Sequence, residues 1–287
     1  TGANFGDPYQ EAWRWTQAEG FTPLGDLGPD TLQFGSAEDV SADGMTVVGT
    51  GSIGDIDPDT DDHAYAVIWP NSGAAPTNIG NLPSPISTGG ALATAASADG
   101  SVVVGFSPGY TAGGVFANRG FRWTPGTGMV DIGPLPARPN GSIYISDCSS
   151  DGNTLVGYMI DGGPTTWQSV VWTPSTGVRS LRTILGDAGV SVPANLGLRE
   201  TFTGGDGRVI AGWAYNNTTQ RYVGYVAQLG AVPCVGDFNR DGGVDGADVQ
   251  AFFEAWEAGL AAGDVNEDGG VDGADVAYFF GFWEAGC

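Results

Sequence analysis

The 287-residue chain contains no lysine. Its ten basic residues are all arginine, set against 33 Asp and Glu, for a net charge of −23. A nucleic-acid partner needs its phosphates neutralised by a basic surface, so DNA and RNA binding are not expected. There is one histidine, His63. Any Ser-His-Asp or Cys-His catalysis would have to run through it, and no nucleophile-elbow motif is present. One His and scattered Cys do not make a zinc site, and phosphate-loop and dinucleotide fingerprints are missing. No apolar run reaches the ~18–20 residues needed to span a bilayer. The chain begins at Thr1 rather than Met, as expected of a mature form from which a signal has been removed.

Glycine and aromatic residues are plentiful. Forty-nine glycines punctuate short apolar runs, and aromatics at 11% argue against disorder. This pattern predicts many strands and turns. The first 230 residues restate one phrase. Ser41-Ala-Asp-Gly-Met-Thr-Val-Val-Gly49 returns as Ser97–Gly105, as Ser149–Gly157 and, worn, as Gly204–Gly212. A second phrase alternates with it: Trp13-Arg-Trp-Thr16, Val67-Ile-Trp-Pro70, Phe121-Arg-Trp-Thr124 and Val170-Val-Trp-Thr173, with Tyr225-Val-Ala227 as an echo lacking Trp. Leu24–Leu27, Ile79–Leu82 and Ile132–Leu135 share a Leu/Ile-Gly-x-Leu pattern.

A period of about 54 residues predicts an array or propeller. Each period supplies four short β-rich runs; in the second they are approximately 91–98, 101–107, 117–124 and 128–135. Four antiparallel strands per repeat make a propeller blade. The fold class expected for 1–230 is therefore mainly β, a small β-propeller of four blades or alternatively five, with an irregular β-sandwich as the competing architecture. Residues 10–27 and 199–228 are each part of a period, so the two ends are expected to complete one blade between them. The recurring Trp is expected to pack between blades and the recurring Asp to brace a turn. These phrases resemble the extracellular repeats named for a His-Ala-Phe tripeptide, here His63-Ala-Tyr. The resemblance covers roughly 10–228 and implies no established reaction.

The last fifty residues carry the sharpest motif. From Asp237 the chain reads DFNRDGGVDGAD and from Asp264, 27 residues later, DVNEDGGVDGAD. This is the spacing of a calcium loop, which offers six to eight hard oxygens at ~2.3–2.6 Å. The expected ligand positions are Asp237, Asn239, Asp241, Gly243, Asp245 and Asp248 in the first loop. In the second they are Asp264, Asn266, Asp268, Gly270, Asp272 and Asp275. Position 12 is the shorter Asp rather than Glu. Val249, Phe252, Phe253 and Trp256, and again Val276, Phe279, Phe280 and Trp283, predict an apolar helical stripe after each loop. Residues 237–287 hold twelve acids and one Arg, a net of −11, so this segment is expected to need two calcium ions to fold.

Two such loop–helix units resemble a dockerin domain. The Gly-Cys ending further resembles the dockerin-like domains of secreted planctomycete proteins. The resemblance covers 234–287 and implies an α-helical, calcium-binding module. Gly246-Ala247 and Gly273-Ala274 replace the Ser-Thr-like pairs with which cellulosomal dockerins choose a cohesin. The ends of such domains commonly lie together, which implies a Cys234–Cys287 disulfide with Cys148 left over. Cys148–Cys234 is the alternative.

A third calcium site is conceivable at Asp55, Asp57, Asp59, Asp61 and Asp62, against the plainer reading of a solvated acidic loop. The function expected from all this is that of a non-enzymatic, calcium-dependent structural or interaction protein, extracellular or on the cell surface. Its module would dock to other copies of itself, building a fibre or coat, or to a cohesin-like surface protein. A dockerin-borne carbohydrate-active enzyme predicts instead a convergent carboxylate pair in a cleft. A sugar-binding propeller predicts exposed Trp in repeated pockets.

Overall fold

The computed structural model describes residues 12–25, 27, 35–52, 64–71, 74–83, 90–111, 113–162, 166–229, 235–239, 243–266 and 270–285. The chain divides into two compact units, Thr1–Gln228 and Leu229–Cys287.

The first unit is mainly β, and its strands among the described residues lie in five antiparallel sheets. The first sheet pairs β1 (Trp13–Thr16) with β2 (Gly20–Pro23). The second holds β3 (Gly35–Val40), β4 (Thr46–Ser52), β5 (Ala64–Pro70) and β6 (Thr77–Gly80) in chain order. The third holds β7 (Leu92–Ala96), β8 (Val103–Tyr110), β9 (Phe116–Thr124) and β10 (Gly128–Asp131). These four strands fall on the four runs predicted for that period. The fourth holds β11 (Ser142–Cys148), β12 (Leu155–Ile160), β13 (Gln168–Thr173) and β14 (Gly177–Ser180), followed by α1 (Leu181–Asp187). The fifth has three strands, β15 (Leu196–Gly204), β16 (Val209–Asn216) and β17 (Arg221–Gln228).

The repeated phrase has a physical basis in each of the last four sheets. Its Asp braces the turn between the first two strands. Ser41 Oγ and the Met45 amide donate to Asp43 Oδ1 at 2.6 and 2.9 Å, and Ser97 Oγ and the Ser101 amide donate to Asp99 Oδ1 at 2.8 and 3.0 Å. The Asn153 and Arg208 amides do the same to Asp151 and Asp206 at 2.9 and 3.0 Å. The Ser101 amide and hydroxyl, with Ser97, hold the Asp99 carboxyl down at about 2. The closing Gly answers a β-bulge in the first strand. The register slips at Ala37/Asp39, Ala93/Ala95, Ile145/Asp147 and Leu198/Thr201. The bulged carbonyl presses onto the Gly opposite: a Cβ on Gly49, Gly105, Gly157 or Gly212 would lie 2.0, 1.9, 2.0 or 2.3 Å from a backbone oxygen. Only glycine admits that approach.

Successive sheets stack through apolar clusters and regular backbone ties. Ala98 N donates to Ser150 O (2.8 Å) and Ser150 N to Gly205 O (2.7 Å), linking one turn tip to the next. Carboxylates at the bulge also bridge sheets: Asp39 Oδ2 accepts from Ala96 N at 2.9 Å and Asp147 Oδ2 from Thr203 N at 2.8 Å. Ala12, Leu24, Leu27, Val67 and Trp69 pack together between the first and second sheets, and Trp69 Nε1 donates to Gly25 O at 2.9 Å. Val48, Leu82, Val103 and Phe121 fill the gap between the second and third, with Trp123 against them. Val104, Ile132, Leu135 and Leu155 fill the next, with Trp172. Three recurring tryptophans thus pack against the preceding sheet, near its Leu/Ile-Gly-x-Leu segment. Trp15, which has no sheet ahead of it among the described residues, is 58% exposed.

Among the described residues the expected sharing of one sheet by both chain ends is not formed. β17 sits in the third-strand place beside β16, the place β1 would need, and β1 is paired with β2.

Cys148 at the end of β11 is a buried free thiol. Burial, then the neighbouring Asp147 and Asp39 carboxylates, push it up to about 12. It should ignore a thiol reagent in the native chain and react only on unfolding. Fast labelling of Cys148 in buffer, read by peptide mass, would contradict this packing. The glycine argument predicts that Gly157→Ala lowers stability by about 1–3 kcal/mol or more. Gly126→Ala, whose Cβ meets nothing within 4 Å, should shift it by less than about 0.5 kcal/mol. Urea midpoints of the two variants make the comparison.

Candidate metal centre

The second unit is built from two loop–helix segments, each followed by its predicted helix: α2 (Gly246–Glu257) and α3 (Gly273–Ala285). Phe252 and Phe279, at the same place in each stripe, are fully buried and stack at 4.3 Å with rings 4° from parallel. Phe238 meets both edge-on at 5.6 and 6.3 Å. The two halves also exchange a bond. Trp256 Nε1 donates to Asp272 O in the other loop at 2.7 Å, and Trp283 Nε1 donates to Asp245 O at 3.0 Å. Each helix therefore holds the partner loop at its ninth position.

The loops are closed by their twelfth residues. Asp248 Oδ1 accepts from Asn239 N at 3.0 Å and Oδ2 from Asp245 N at 2.9 Å. Asp275 repeats both bonds, with Asn266 N at 3.3 Å and Asp272 N at 2.8 Å. The amides of Asp272 and Asn266 hold the Asp275 carboxyl below its ordinary range. The ninth-position side chains cap the helices: Asp245 Oδ1 accepts from Ala247 N at 2.8 Å and Asp272 Oδ1 from Ala274 N at 2.7 Å. The shorter Asp at position 12 thus braces amides 3 and 9 as well as offering oxygen. Each carboxylate retains lone-pair capacity for a cation.

Of the twelve expected ligands, Asp237, Asn239, Gly243, Asp245, Asp248, Asp264, Asn266, Gly270, Asp272 and Asp275 are described, and Asp237, Asp248 and Asp275 are buried. Asp241 and Asp268 lie outside the described residues, as do Asp55, Asp57, Asp59, Asp61, Asp62, His63, Cys234 and Cys287. Among the described residues no group of three or more His, Cys, Asp or Glu converges as a metal cage. The donor set is nonetheless the hard-oxygen set that calcium takes. Asp248 and Asp275 are wholly buried in a unit whose single basic residue is Arg240. Burying carboxylates in so acidic a unit is costly without a counter-cation.

A cleft of about 340 Å³ lined by Tyr110, Asn118, Arg119, Asp131 and Ile143 offers one carboxylate, and Arg119 Nε holds it at 2.9 Å. An aromatic row crosses the third to fifth sheets, and sequence reasoning missed it. The residue after the repeat's closing Gly is Thr50, Phe106, Tyr158 and Trp213 in turn, a signal that was there to be read. Tyr158 stacks on Tyr144 at 4.9 Å and on Trp167 at 4.8 Å, and Arg199 lies 5.3 Å over Trp167. These ring faces are spent on one another and on the guanidinium, whereas sugar stacking needs an open face.

No protein-family model and no curated protein matches this chain. Among solved structures, a TolB of Agrobacterium tumefaciens aligns over 76% of this chain and 69% of its own, with 14% identity and a TM-score of 0.46. The tricorn protease aligns over 73% of this chain and 24% of its own, with 11% identity and a TM-score of 0.43. One of two prolyl endopeptidases aligns over 76% and 37%, with 12% identity and a TM-score of 0.38. At these TM-scores the likenesses carry no argument about fold or function.

Removing Asp275 isolates the brace. Asp275→Ala should free two loop amides and cost about 1–3 kcal/mol in the calcium-loaded second unit. Asp187→Ala, on an exposed carboxylate of the first unit, should leave that transition in place. Calorimetry in calcium reads both.

Proposed function

We propose that this chain is a secreted, non-enzymatic structural subunit: a β-propeller-type body carrying a calcium-locked, dockerin-like attachment module. The observation that carries the reading is the burial of Asp248 and Asp275 in a twofold-like pair of acidic loops with one Arg to answer twelve acids. Calcium would supply the charge that the sequence withholds. Asp237, Asn239, Asp241, Asp245 and Asp248, with the Gly243 carbonyl, would hold one ion, and the matching residues of the second loop another. The exchanged tryptophan bonds would make the two sites fold as one.

The body supports a mechanical role. Its repeat residues are used in turn bracing, bulge packing and sheet stacking, and the one carboxylate of its cleft is ion-paired. The module would join this body to other copies or to a surface protein. Approach of the Gly236 backbone to Phe282 and Trp283, where an added Cβ would meet backbone atoms at 3.1 Å, favours a clasp between the flanking Cys234 and Cys287.

Calcium titration of the metal-stripped chain should find two sites, with the near-ultraviolet signal of Trp256 and Trp283 appearing on binding. With free calcium at about a thousand times Kd, each ion adds about 4 kcal/mol to the module. A module that stays folded and binds nothing in millimolar calcium would overturn the proposal.

A further inference from the structure

Each sheet of the first unit has two faces with distinct duties. One face packs on the sheet before it: Val47, Val103 and Leu155 hold the same place on the second strands and lie in the clusters shared with that sheet, and Ile210, at the matching place, is 0% exposed. The other packs on the sheet after it, through Val48, Val104 and Val156, each 0% exposed. The third strands follow the same rule, with Trp69 facing back at 2% exposed and Val171 facing forward at 3%. Every internal gap is a forward face closed by the next sheet's backward face.

The rule breaks at both ends. On the fifth sheet the forward positions are Phe202, Val209, Tyr222 and Val226, and they are 45, 49, 63 and 73% exposed. Val226 holds the place that Val171 holds in the fourth sheet. On the first sheet the backward positions are Trp13, Trp15 and Phe21, exposed at 50, 58 and 69%. Trp13 and Phe21 meet edge-on at 4.6 Å beside a groove of about 430 Å³ that also touches Thr22 and Pro23. A stacked array that ends in water closes with polar capping faces. These two ends are aromatic and aliphatic instead, and among the described residues they do not cover each other.

We infer that the forward face of the fifth sheet is covered by the backward face of the first sheet of a second copy, so that copies stack head to tail. The occupant follows from the repeat: every covered forward face among the described residues is covered by a backward face of this design, and the first sheet presents one that is open among those residues. Trp15 would seat on the Tyr222–Val226 strand as Trp172 seats on the sheet before it. The contact is heterologous, with different surfaces on the two partners, and it propagates unless the rotation closes a ring. The inference builds on the structural-subunit reading but uses no calcium ligand, so the two can fail separately.

The test is the mass of the full chain by sedimentation across a concentration series, with Val226→Asp and Trp15→Ser as variants. Both substitutions lie on exposed positions, and circular dichroism verifies folding. The wild type should form concentration-dependent oligomers that persist in chelator, while each variant alone sediments as one chain. Mixed, the variants should stop at pairs, because each keeps one intact face and the two intact faces match. A wild type that stays a single chain at all concentrations overturns the inference. Oligomers indifferent to both substitutions overturn it as well. If those oligomers also dissolve on chelation, the calcium module is joining the copies, and the proposed function stands without this contact.

Discussion

The body depends on one constraint, the close approach between a bulged first strand and the glycine opposite it. The bulge turns the first strand so that its residues reach the neighbouring sheet. Asp39 and Asp147, placed by the bulge, then bond amides of the sheet that follows. The glycine makes the bulge sterically feasible, and the turn Asp holds the hairpin that brings the two strands together. Burial of Val48, Val104 and Val156 follows from that spacing. Remove the glycine and the first and second strands of that sheet must part, since a backbone oxygen cannot yield as a side chain can.

The second unit solves a different problem. It is too small and too acidic to rely on apolar burial alone. Its aromatic contact, Phe252 on Phe279, lies between loops that repel each other through uncompensated charge. The exchanged tryptophan bonds and the aspartate braces fix the loops in a geometry where oxygen donors are concentrated. A cation there would turn the repulsion into attraction, which couples folding of the module to metal.

Much of this was legible in the sequence. The Ser-x-Asp-Gly phrase announced the hairpins because an Asp two residues before an amide has few other uses in a tight turn. The Trp phrase announced the third strands, and the Asp-x-Asn-x-Asp-Gly spacing with its aromatic stripe announced both helices. What could not be read was three-dimensional pairing. That β17 takes the third-strand place, leaving β1 and β2 apart, is a long-range pairing, and Tyr225-Val-Ala227 is too worn a copy to announce it. Nor does a hydrophobic position reveal which neighbour covers it: Val171 and Val226 look alike in sequence, yet one is buried and the other open. The aromatic row from Phe106 to Trp213 was hidden because its members sit one residue beyond a motif that reads as complete.

The central claim is that the open ends of the stack belong to each other on different copies. The most direct measurement mixes isotopically heavy chains carrying Phe21→Cys with light chains carrying Val226→Cys, oxidises them, and weighs the cross-linked products. The account predicts heavy–light pairs joined at these two positions. A chain carrying both substitutions that links only to itself would contradict it, since the two faces would then close within one molecule.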